Sequence, residues 1–444
     1  MSSNQYISFL EEIQDKFICT IDEYRPHGLG TGYLRCRLKP KRIHQICPLC
    51  GHGKTYINDY KYREIHGGTF NGVPVIYSLA QPRHECTKCF GTFVDEYEYL
   101  RWRHGIAEEA EHFILTMLGS MPMTLIANHL GLSVQTIANR AEEYALNEKE
   151  IMINCRYKYL SMDEVFIGRK KDGSHAIYWV LNDNSTPWKS NNIMICLDRT
   201  KADVIRCLKQ LKYGHEVQAV SIDMWLPYRE AVNEALPNAE VVIDRFHVMQ
   251  HAEKIIDTAR KNANCSKVIK DAMKKDCPLL LKYWMKLSVD DINKLDYYLS
   301  CDKKLSDVYY LVQDFMDFYN QPDYEAALDY LCKWECKLFK SDVVEELKPL
   351  YDTVLNWLPY ILNYFRFRIT NGRTEGKNNL LRQIDRMGFH YSLNSLQACF
   401  YSHDRNQELA KWRRYQRKIE LKMIMKNKAS INVASSVVEP ITAA

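Results

Sequence analysis

The chain has 444 residues, which at roughly 150 residues per domain suggests about three domains. Hydrophobic residues make up 46% and charged residues 26%, a balance that excludes disorder over most of the length. The formal net charge is only +5, so any surface for nucleic acid must come from local basic clusters. No apolar run long enough to span a membrane and no secretory signal is readable, which predicts a cytoplasmic protein without a membrane partner.

Two pairs of cysteines near the N-terminus have the spacing of metal ligands. The fifteen cysteines are an odd number in a large chain, which indicates reduced thiols of which some bind metal. The two C-x-x-C pairs are Cys47 with Cys50 and Cys86 with Cys89. Two such pairs around a hairpin-like stretch supply the four thiolates that structural Zn²⁺ prefers, which predicts a zinc ribbon. The alternative, four cysteines buried as small hydrophobic residues, leaves the paired spacing unexplained.

The surroundings of these pairs leave some details open. Gly51 and Gly91 follow the two pairs, where the backbone must turn sharply. Four histidines are each able to replace a cysteine as ligand: His44, His52, His66 and His84. The other cysteines, including Cys332 and Cys336, are predicted to be core thiols. A glycine cluster at 28–32 lacks the flanking strand and helix of a dinucleotide site.

Residues 122–145 predict two short helices that meet at Gly131, with Ser133 as the N-cap of the second. This is the pattern of a helix-turn-helix. The second helix then presents polar side chains suited to base edges or phosphates: Gln135, Thr136, Asn139 and Arg140. The alternative is a helical hairpin that only packs.

From 157 to 247 the sequence predicts three strands, a helix, a strand, a helix and a strand, an RNase H-like α/β order. Asp163 lies within the first strand, and Asp223 comes directly after the fourth. Because these strands are neighbours in such a sheet, the two carboxylates can share a divalent cation, and hard oxygen ligands favour Mg²⁺ or Mn²⁺. The alternative for each acid alone is a solvated strand end. Trp225 and Tyr228 either stack on a frayed base or pack their helix onto the sheet.

A third acid lies far downstream, in residues 369–386. Thr374 is a candidate N-cap, and Glu375 opens the predicted helix. Three residues are expected near the face of Glu375, where they can contact phosphate oxygens: Asn379, Arg382 and Arg386. The alternative is an ordinary capped helix with a solvated charged face.

The stretch from Lys411 to Lys428 is the most basic part of the chain and includes Arg413 and Arg414. It is predicted to be a helix that follows the DNA backbone and precedes a mobile tail. The alternative is a helix face that only improves solubility.

Several motifs together resemble one known family. CPLC and CTKC, SMDE, SIDMWLPYREAV, VVIDRFHV and NGRTEGKNN occur in the order found in DDE transposases of the ISL-three family of bacterial insertion sequences. The resemblance covers about residues 45–390. It implies that Asp163, Asp223 and Glu375 form a metal-binding catalytic triad, with Asp244 and His247 as an accessory D-x-x-H feature nearby. His247 either orients a phosphate or an aspartate, or only caps a strand end.

The resemblance also implies an activity and an arrangement of domains. The expected function is a transposase that binds the ends of an insertion sequence and uses Mg²⁺ or Mn²⁺, with a structural Zn²⁺, to cleave DNA and transfer strands. Two ions are expected, one held by Asp163 and Asp223 and one by Asp163 and Glu375. They would stabilise the attacking and the leaving oxygen during phosphoryl transfer. The alternative is a non-catalytic zinc-ribbon and helix-turn-helix regulator derived from a transposase.

The expected partners are double-stranded DNA, as terminal inverted repeats and target, and a second copy of the chain on that DNA. Such a protein is expected with the nucleoid in the cytoplasm. The expected domains are a zinc ribbon at 1–103, a helix-turn-helix at 104–150, a catalytic core at 155–247, a helical insertion at 248–363, the last catalytic helix at 364–403, and a basic helix and tail at 404–444.

Overall fold

The computed structural model describes residues 15, 17–26, 32–41, 46–94, 105–169, 175–186, 191–388 and 391–435, except the side chains of 168–169, 175–176 and 418–435. By its internal contacts the chain divides into two compact units, one from residues up to 148 and from 384 onwards, the other from 149–383. Each unit contains a five-stranded sheet, so the expected mixed α/β class is confirmed. The finer domain boundaries stay predictions. Within the described part of the chain, no helix has the length and apolar character needed to cross a membrane.

The first sheet belongs to the unit that includes the N-terminal residues. Its strands are β1 (Phe17–Arg25), β2 (Tyr33–Pro40), β3 (Thr55–Phe70), β4 (Val73–Cys86) and β5 (Thr92–Val94). The order is β1-β2-β4-β3, and β5 pairs with β4. β3 and β4 form the predicted hairpin, which turns at Asn71-Gly72 with positive φ at both residues. This turn matches the right-handed twist of the strands it joins.

Three helices follow: α1 (Glu108–Met117), α2 (Met123–Leu130) and α3 (Val134–Ile153). The helices predicted around Gly131 are therefore confirmed. Gly131 ends α2 in the left-handed conformation, at φ +64. The Ser133 hydroxyl accepts a hydrogen bond of 3.0 Å from the Thr136 N–H, so the predicted N-cap is also confirmed.

The second sheet belongs to the other unit. Its strands are β6 (Tyr159–Arg169), β7 (His175–Asp183), β8 (Asn192–Leu197), β9 (Ala219–Ile222) and β10 (Glu240–Ile243). β6, β7 and β8 are antiparallel neighbours, whereas β9 and β10 are parallel to β6, which gives the order β10-β9-β6-β7-β8. The connections contain α4 (Lys201–Leu208) and α5 (Leu226–Ala235). All five predicted strands and the two helices predicted between them are confirmed.

A long helical stretch continues this unit. Its helices are α6 (Arg245–Asn262), α7 (Lys267–Lys275), α8 (Cys277–Leu281), α9 (Val289–Ser300), α10 (Lys303–Asp317), α11 (Tyr324–Phe339) and α12 (Val344–Phe367). Phe318, Trp334 and Phe365 are buried in the same hydrophobic core as the second sheet. The Asn363 amide of α12 donates a 2.9 Å hydrogen bond to the carbonyl of Val241 in β10. The stretch and the sheet are thus packed together rather than separated by a linker.

Two helices complete the chain: α13 (Gly372–Met387) and α14 (Leu393–Ser435). The expected start of α13 at Thr374 and Glu375 is wrong. The Glu375 N–H already bonds to the carbonyl of Asn371 at 3.0 Å, so the first turn begins at Gly372. α14 continues to Ser435, into the predicted mobile tail, and residues 436–444 lie outside the described residues.

Candidate active site

Three aspartates stand in a row where β9 and β10 end. The parallel register of β6 on β9 sets Asp163 level with Asp223, two residues beyond the last paired positions. β10 lies parallel to β9 and ends beside it, so Asp244 comes next in the row. Because parallel strands present their carboxyl ends at one edge, this edge is where side chains after the strands converge.

His247, the third residue of α6, lies close to two of these acids. Its Nε2 lies 2.6 Å from an oxygen of Asp223. One ligand atom each from Asp163, Asp223 and His247 lie within 4.8 Å of one another, close enough to hold a metal ion. The structure therefore brings together two of the three expected acids and one accessory residue.

Burial and charge act together on these groups. Burial, and then the neighbouring charge of Asp223, raises the pKa of Asp163 to about 7. Burial likewise raises the pKa of Asp244. Burial of the His247 ring opposes its protonation, but the hydrogen bond to Asp223 and the three nearby carboxylates raise its pKa overall. A cation between neighbouring, partly buried carboxylates offsets both their mutual repulsion and their loss of hydration. The arrangement therefore indicates a site for a positive ion.

A polar face of α13 docks on the strand that carries Asp163. The Asn371 amide donates to the carbonyl of Met162 at 2.9 Å, and the Thr374 hydroxyl bonds to Ser161 at 2.8 Å. The Asn378 amide donates to Oδ2 of Asp163 at 2.7 Å. Asn378 is not among the residues predicted from the sequence, because those were chosen from the helix face that carries Glu375. The spacing of Asn371, Thr374 and Asn378, at i, i+3 and i+7, is the signal of a single polar helix face.

Two further contacts fix this arrangement. The Glu164 N–H donates to Oδ1 of Asp163 at 2.8 Å, so each oxygen of Asp163 has one donor and keeps a lone pair for another partner. Asp244 accepts a 3.0 Å hydrogen bond from the Asn371 N–H and so anchors the start of α13. The two ends of the polar face are held by two of the three aspartates.

Glu375 is not part of the group that Asp163, Asp223 and His247 form. Its side chain is exposed, and among the described residues no ligand atom of it lies within the 4.8 Å cluster. Asn379 is also exposed, and its oxygen accepts a 2.8 Å hydrogen bond from Arg382. Arg386 is exposed near the end of α13. The polar face and the charged face of this helix are therefore different faces.

The aromatic residues after Asp223 have different surroundings. Tyr228 is fully buried, so its interpretation as a packing residue is confirmed. Trp225 remains 39% exposed, and the Arg199 guanidinium lies over its ring at 4.7 Å. Arg199 also forms an ion pair of 2.6 Å with Glu164. Stacking of Trp225 on a base stays a prediction.

We expect Asn378→Ala to weaken the affinity for a divalent cation by roughly 10- to 100-fold, as loss of partners behind a metal ligand does. The change removes the amide that orients Asp163 and leaves the exposed face of α13 untouched. Isothermal titration of Mn²⁺ into the full chain measures the affinity. Gln383→Ala, at an exposed position of the same helix, is the matched control. An unchanged Mn²⁺ affinity for Asn378→Ala would show that the amide only packs.

The four paired cysteines also converge. Cys47 and Cys89 have their sulfurs 3.6 Å apart, as do Cys50 and Cys86, and all four lie within one 4.8 Å group. The N–H groups of Cys89 and Lys88 hold the pKa of the Cys86 thiol below its ordinary value, which favours the thiolate that binds metal.

The turns around these cysteines have different geometries. Gly51 takes a positive φ of +71. Gly91 does not, but an added Cβ there would come within 2.3 Å of Leu49. His52, His66 and His84 are absent from the sulfur group among the described residues, and His44 lies outside them.

The remaining cysteines are only partly core residues. Cys36, Cys196, Cys207 and Cys399 are buried as expected. The prediction for Cys332 and Cys336 is wrong, because both are exposed on α11. Their spacing of four residues sets them on one side of the helix, and that side is the solvent side.

The polar residues of α3 do not all face solvent. Gln135 and Asn139 are exposed and hydrogen-bonded to each other at 2.8 Å, and Thr136 is half-buried. The expected exposure of Arg140 is wrong. Its side chain is only 11% exposed, and its Nε donates to Glu111 of α1 at 2.9 Å. Glu143 holds the other side of the guanidinium, so Arg140 ties α3 to α1.

The side chains of the basic C-terminal stretch are described as far as Arg417. Arg413 and Arg414 are both exposed on α14, beside exposed Trp412 and Tyr415. From residue 418 onwards the structure describes only the helical backbone, so the predicted DNA contacts of those lysines stay predictions.

Comparison with known proteins agrees with the motifs. Residues 160–399, more than half of the chain, match the family model of ISL3-type DDE transposases, which is described as transposase. The chain belongs to this transposase family, and the resemblance inferred from its motifs is confirmed.

Individual relatives are more distant. The transposase for insertion sequence element IS1001 of Bordetella parapertussis is 23% identical over 366 residues, covering 80% of this chain and 87% of that relative. Among solved structures, the Drosophila P element transposase strand transfer complex matches with 12% identity and a TM-score of 0.37, covering 68% of this chain and 92% of that chain.

Proposed function

We propose that this transposase binds the ends of an insertion sequence and catalyses divalent-cation-dependent cleavage and strand transfer of DNA. The observation that carries the proposal is the convergence of Asp163, Asp223 and His247, with ligand atoms within 4.8 Å of one another. Family membership supplies the reaction class, and the half-buried acids supply a place for it.

An RNase H-like catalytic domain is part of this proposal. The strand order β8-β7-β6-β9-β10 supports it, because three antiparallel strands are followed by two parallel ones joined through helices. Asp163 then lies on one central strand, and Asp223 comes directly after the neighbouring strand. The helical stretch from α6 to α12 comes between these strands and α13, as an insertion before the last catalytic helix would.

The donors at the site suit a hard divalent cation. Asp163 and Asp223 offer carboxylate oxygens. The pKa of Asp163 is raised first by burial and then by the charge of Asp223, and a bound cation would offset both effects. Bound Mg²⁺ or Mn²⁺ would supply Lewis acidity and activate water or a 3′-hydroxyl for in-line attack on a phosphodiester. Glu375 remains the proposed third acid, because it belongs to the TEGKNN motif and lies on the helix that Asn378 fixes to Asp163.

The chain's own residues prepare the site. Asn378 and the Glu164 N–H orient the carboxylate of Asp163. His247 holds Asp223 through Nε2, and its raised pKa favours a protonated ring that balances the acids and can face a phosphate. Asp244 keeps α13 in position through Asn371.

The other regions are proposed to hold the DNA. The four cysteines would bind one structural Zn²⁺ as a zinc ribbon, and α2 with α3 would act as a helix-turn-helix. The proposed DNA contacts are Gln135, Thr136, Asn139, Asn379, Arg382, Arg386, Arg413 and Arg414. Arg140 is no longer among them, because two glutamates occupy its guanidinium.

The test uses labelled duplexes that carry the DNA flanking the coding sequence, where the element ends lie, together with a target plasmid. We expect nicks that leave a 3′-hydroxyl, and joined products, when Mg²⁺ is added and none without it. Specific binding without cleavage in either Mg²⁺ or Mn²⁺ would contradict the proposal and favour a DNA-binding regulator. Cleavage without joining would indicate a nuclease.

A further inference from the structure

The solvent face of the first sheet forms a groove that the proposed function does not use. Residues along β2 alternate, so that Leu34, Cys36 and Leu38 enter the core, while Arg35, Arg37 and Lys39 point to the opposite face. That face encloses a groove of about 750 Å³.

The groove has a floor and two different walls. β4 lies between β2 and β3 and supplies a floor of small side chains, Ser78, Ala80 and Pro82. On one side Arg37 pairs in register with Ser78. On the other side Tyr62 is opposite Ala80, and Tyr60 is opposite Pro82. A cationic wall therefore faces an aromatic wall across one strand.

The charge of the groove is positive. Its lining contains four cations, Arg35, Arg37, Lys39 and Lys41, and one acid, Asp22. Asp22 pairs with Arg37 at 3.1 Å, and Glu64 pairs with Arg35 at the same distance. Both pairs are partly exposed, since Arg37 is 66% and Glu64 is 55% exposed. Ion pairs in contact with water are weak enough for a phosphate to compete with them.

The aromatic wall is available for stacking. Tyr60 is 49% exposed and Tyr62 is 80% exposed, although tyrosine on a sheet usually gains by covering its ring. Basic side chains along a groove together with exposed rings are the combination that binds an unpaired nucleic-acid strand, since cations follow the phosphates and rings stack on bases.

The width of the groove favours single-stranded over double-stranded DNA. Two strand spacings separate β2 from β3, which is roughly 10 Å between the walls. A duplex is wider than this, since its major groove alone is about 12 Å across, and its bases are already stacked on one another.

We propose that this groove binds a single strand of DNA, with phosphates along Arg37 and Lys39 and bases on Tyr60 and Tyr62. The inference rests on the proposed function in one respect, the origin of the single strand. Cleavage of an element end and fraying of that end would release it.

The experiment measures binding of the full chain to a fluorescent oligothymidylate of about 12 nucleotides, by anisotropy, with no Mg²⁺ added. We expect Tyr60→Ala combined with Tyr62→Ala to weaken binding roughly 10- to 100-fold, while binding to a random duplex changes less than about twofold. Lys39→Ala should lower the slope of log affinity against log salt by about 0.7. Because these side chains are exposed, the thermal unfolding temperature should not change.

The matched control is Tyr297→Ala with Tyr310→Ala, two tyrosines of the helical stretch that are 57% and 56% exposed. The inference would be overturned if the variant with Tyr60→Ala and Tyr62→Ala bound oligothymidylate as tightly as the wild-type chain. It would also be overturned if the wild-type chain did not bind oligothymidylate. An equal loss for duplex and single strand would also overturn it, because the surface would then follow duplex DNA. Cleavage of duplex ends in Mg²⁺ is measured separately, so failure of either proposal can be recognised without the other.

Discussion

Asp223→Asn is expected to reduce Mg²⁺-dependent cleavage of an element end by about a thousandfold, while duplex binding stays within about twofold. The amide replaces one of two carboxylates that lie level on neighbouring strands, and it cannot offset the charge of a divalent cation. The substitution hardly changes volume, so the sheet should keep its packing. The rate of nicking on a labelled duplex and the affinity for that duplex are measured on the same preparation.

The control for this prediction is Asp271→Asn, an exposed acid on α7 outside the site. A second variant, Asp223→Cys, separates direct ligation from a structural effect. A thiolate prefers softer ions, so we expect Mn²⁺ to restore part of the activity that Mg²⁺ does not. Full cleavage by Asp223→Asn would remove this residue from the active site.

Cys86→Ser is expected to abolish binding of one Zn²⁺ per chain and to unfold the hairpin of β3 and β4 locally. Structural zinc contributes on the order of 10–16 kcal/mol to small domains, far more than the packing of one side chain. Cys86 is fully buried between its partners, and serine is a poor zinc ligand. Elemental analysis gives the zinc content, and hydrogen exchange of the hairpin reports its opening.

Cys332→Ser with Cys336→Ser is the matched control, since both thiols are exposed on α11 and neither is a member of the sulfur group. This variant should keep one zinc per chain and unaltered exchange. Retention of zinc by Cys86→Ser, or a wild-type chain without zinc, would contradict the zinc-ribbon interpretation.

Much of the second sheet could be predicted because its strands are short, apolar and bounded by turns. Apolar runs such as Val241–Ile243 can only be buried, and burial fixes the strand. The closeness of Asp163 and Asp223 also followed from local pattern, since strand order alone makes their strands neighbours. The cysteine pairs were predictable for a similar reason. Two intervening residues place both thiolates of a pair on one turn, where they can bind the same metal ion.

The predictions that were wrong or incomplete concern which face of a helix is buried. Thr374 and Asn378 are as polar as Glu375 and Asn379, so composition does not reveal that the first pair docks on β6. Arg140 has the sequence context of a solvent residue, yet its guanidinium binds Glu111, which lies 29 residues earlier on a different helix. Cys332 and Cys336 are apolar enough for a core, but the core of α11 uses Leu331 and Trp334 instead.

The docking of α13 has a consequence for the order in which the protein is made. Asp163 and its partner Asn378 are separated by 215 residues, so both central strands and the whole helical stretch are synthesised before that amide exists. A nascent or prematurely ended chain can present the two acids but leaves Oδ2 of Asp163 without its donor. The geometry of the site is thus assembled only once synthesis has passed residue 378, which ties competence to a nearly finished polypeptide.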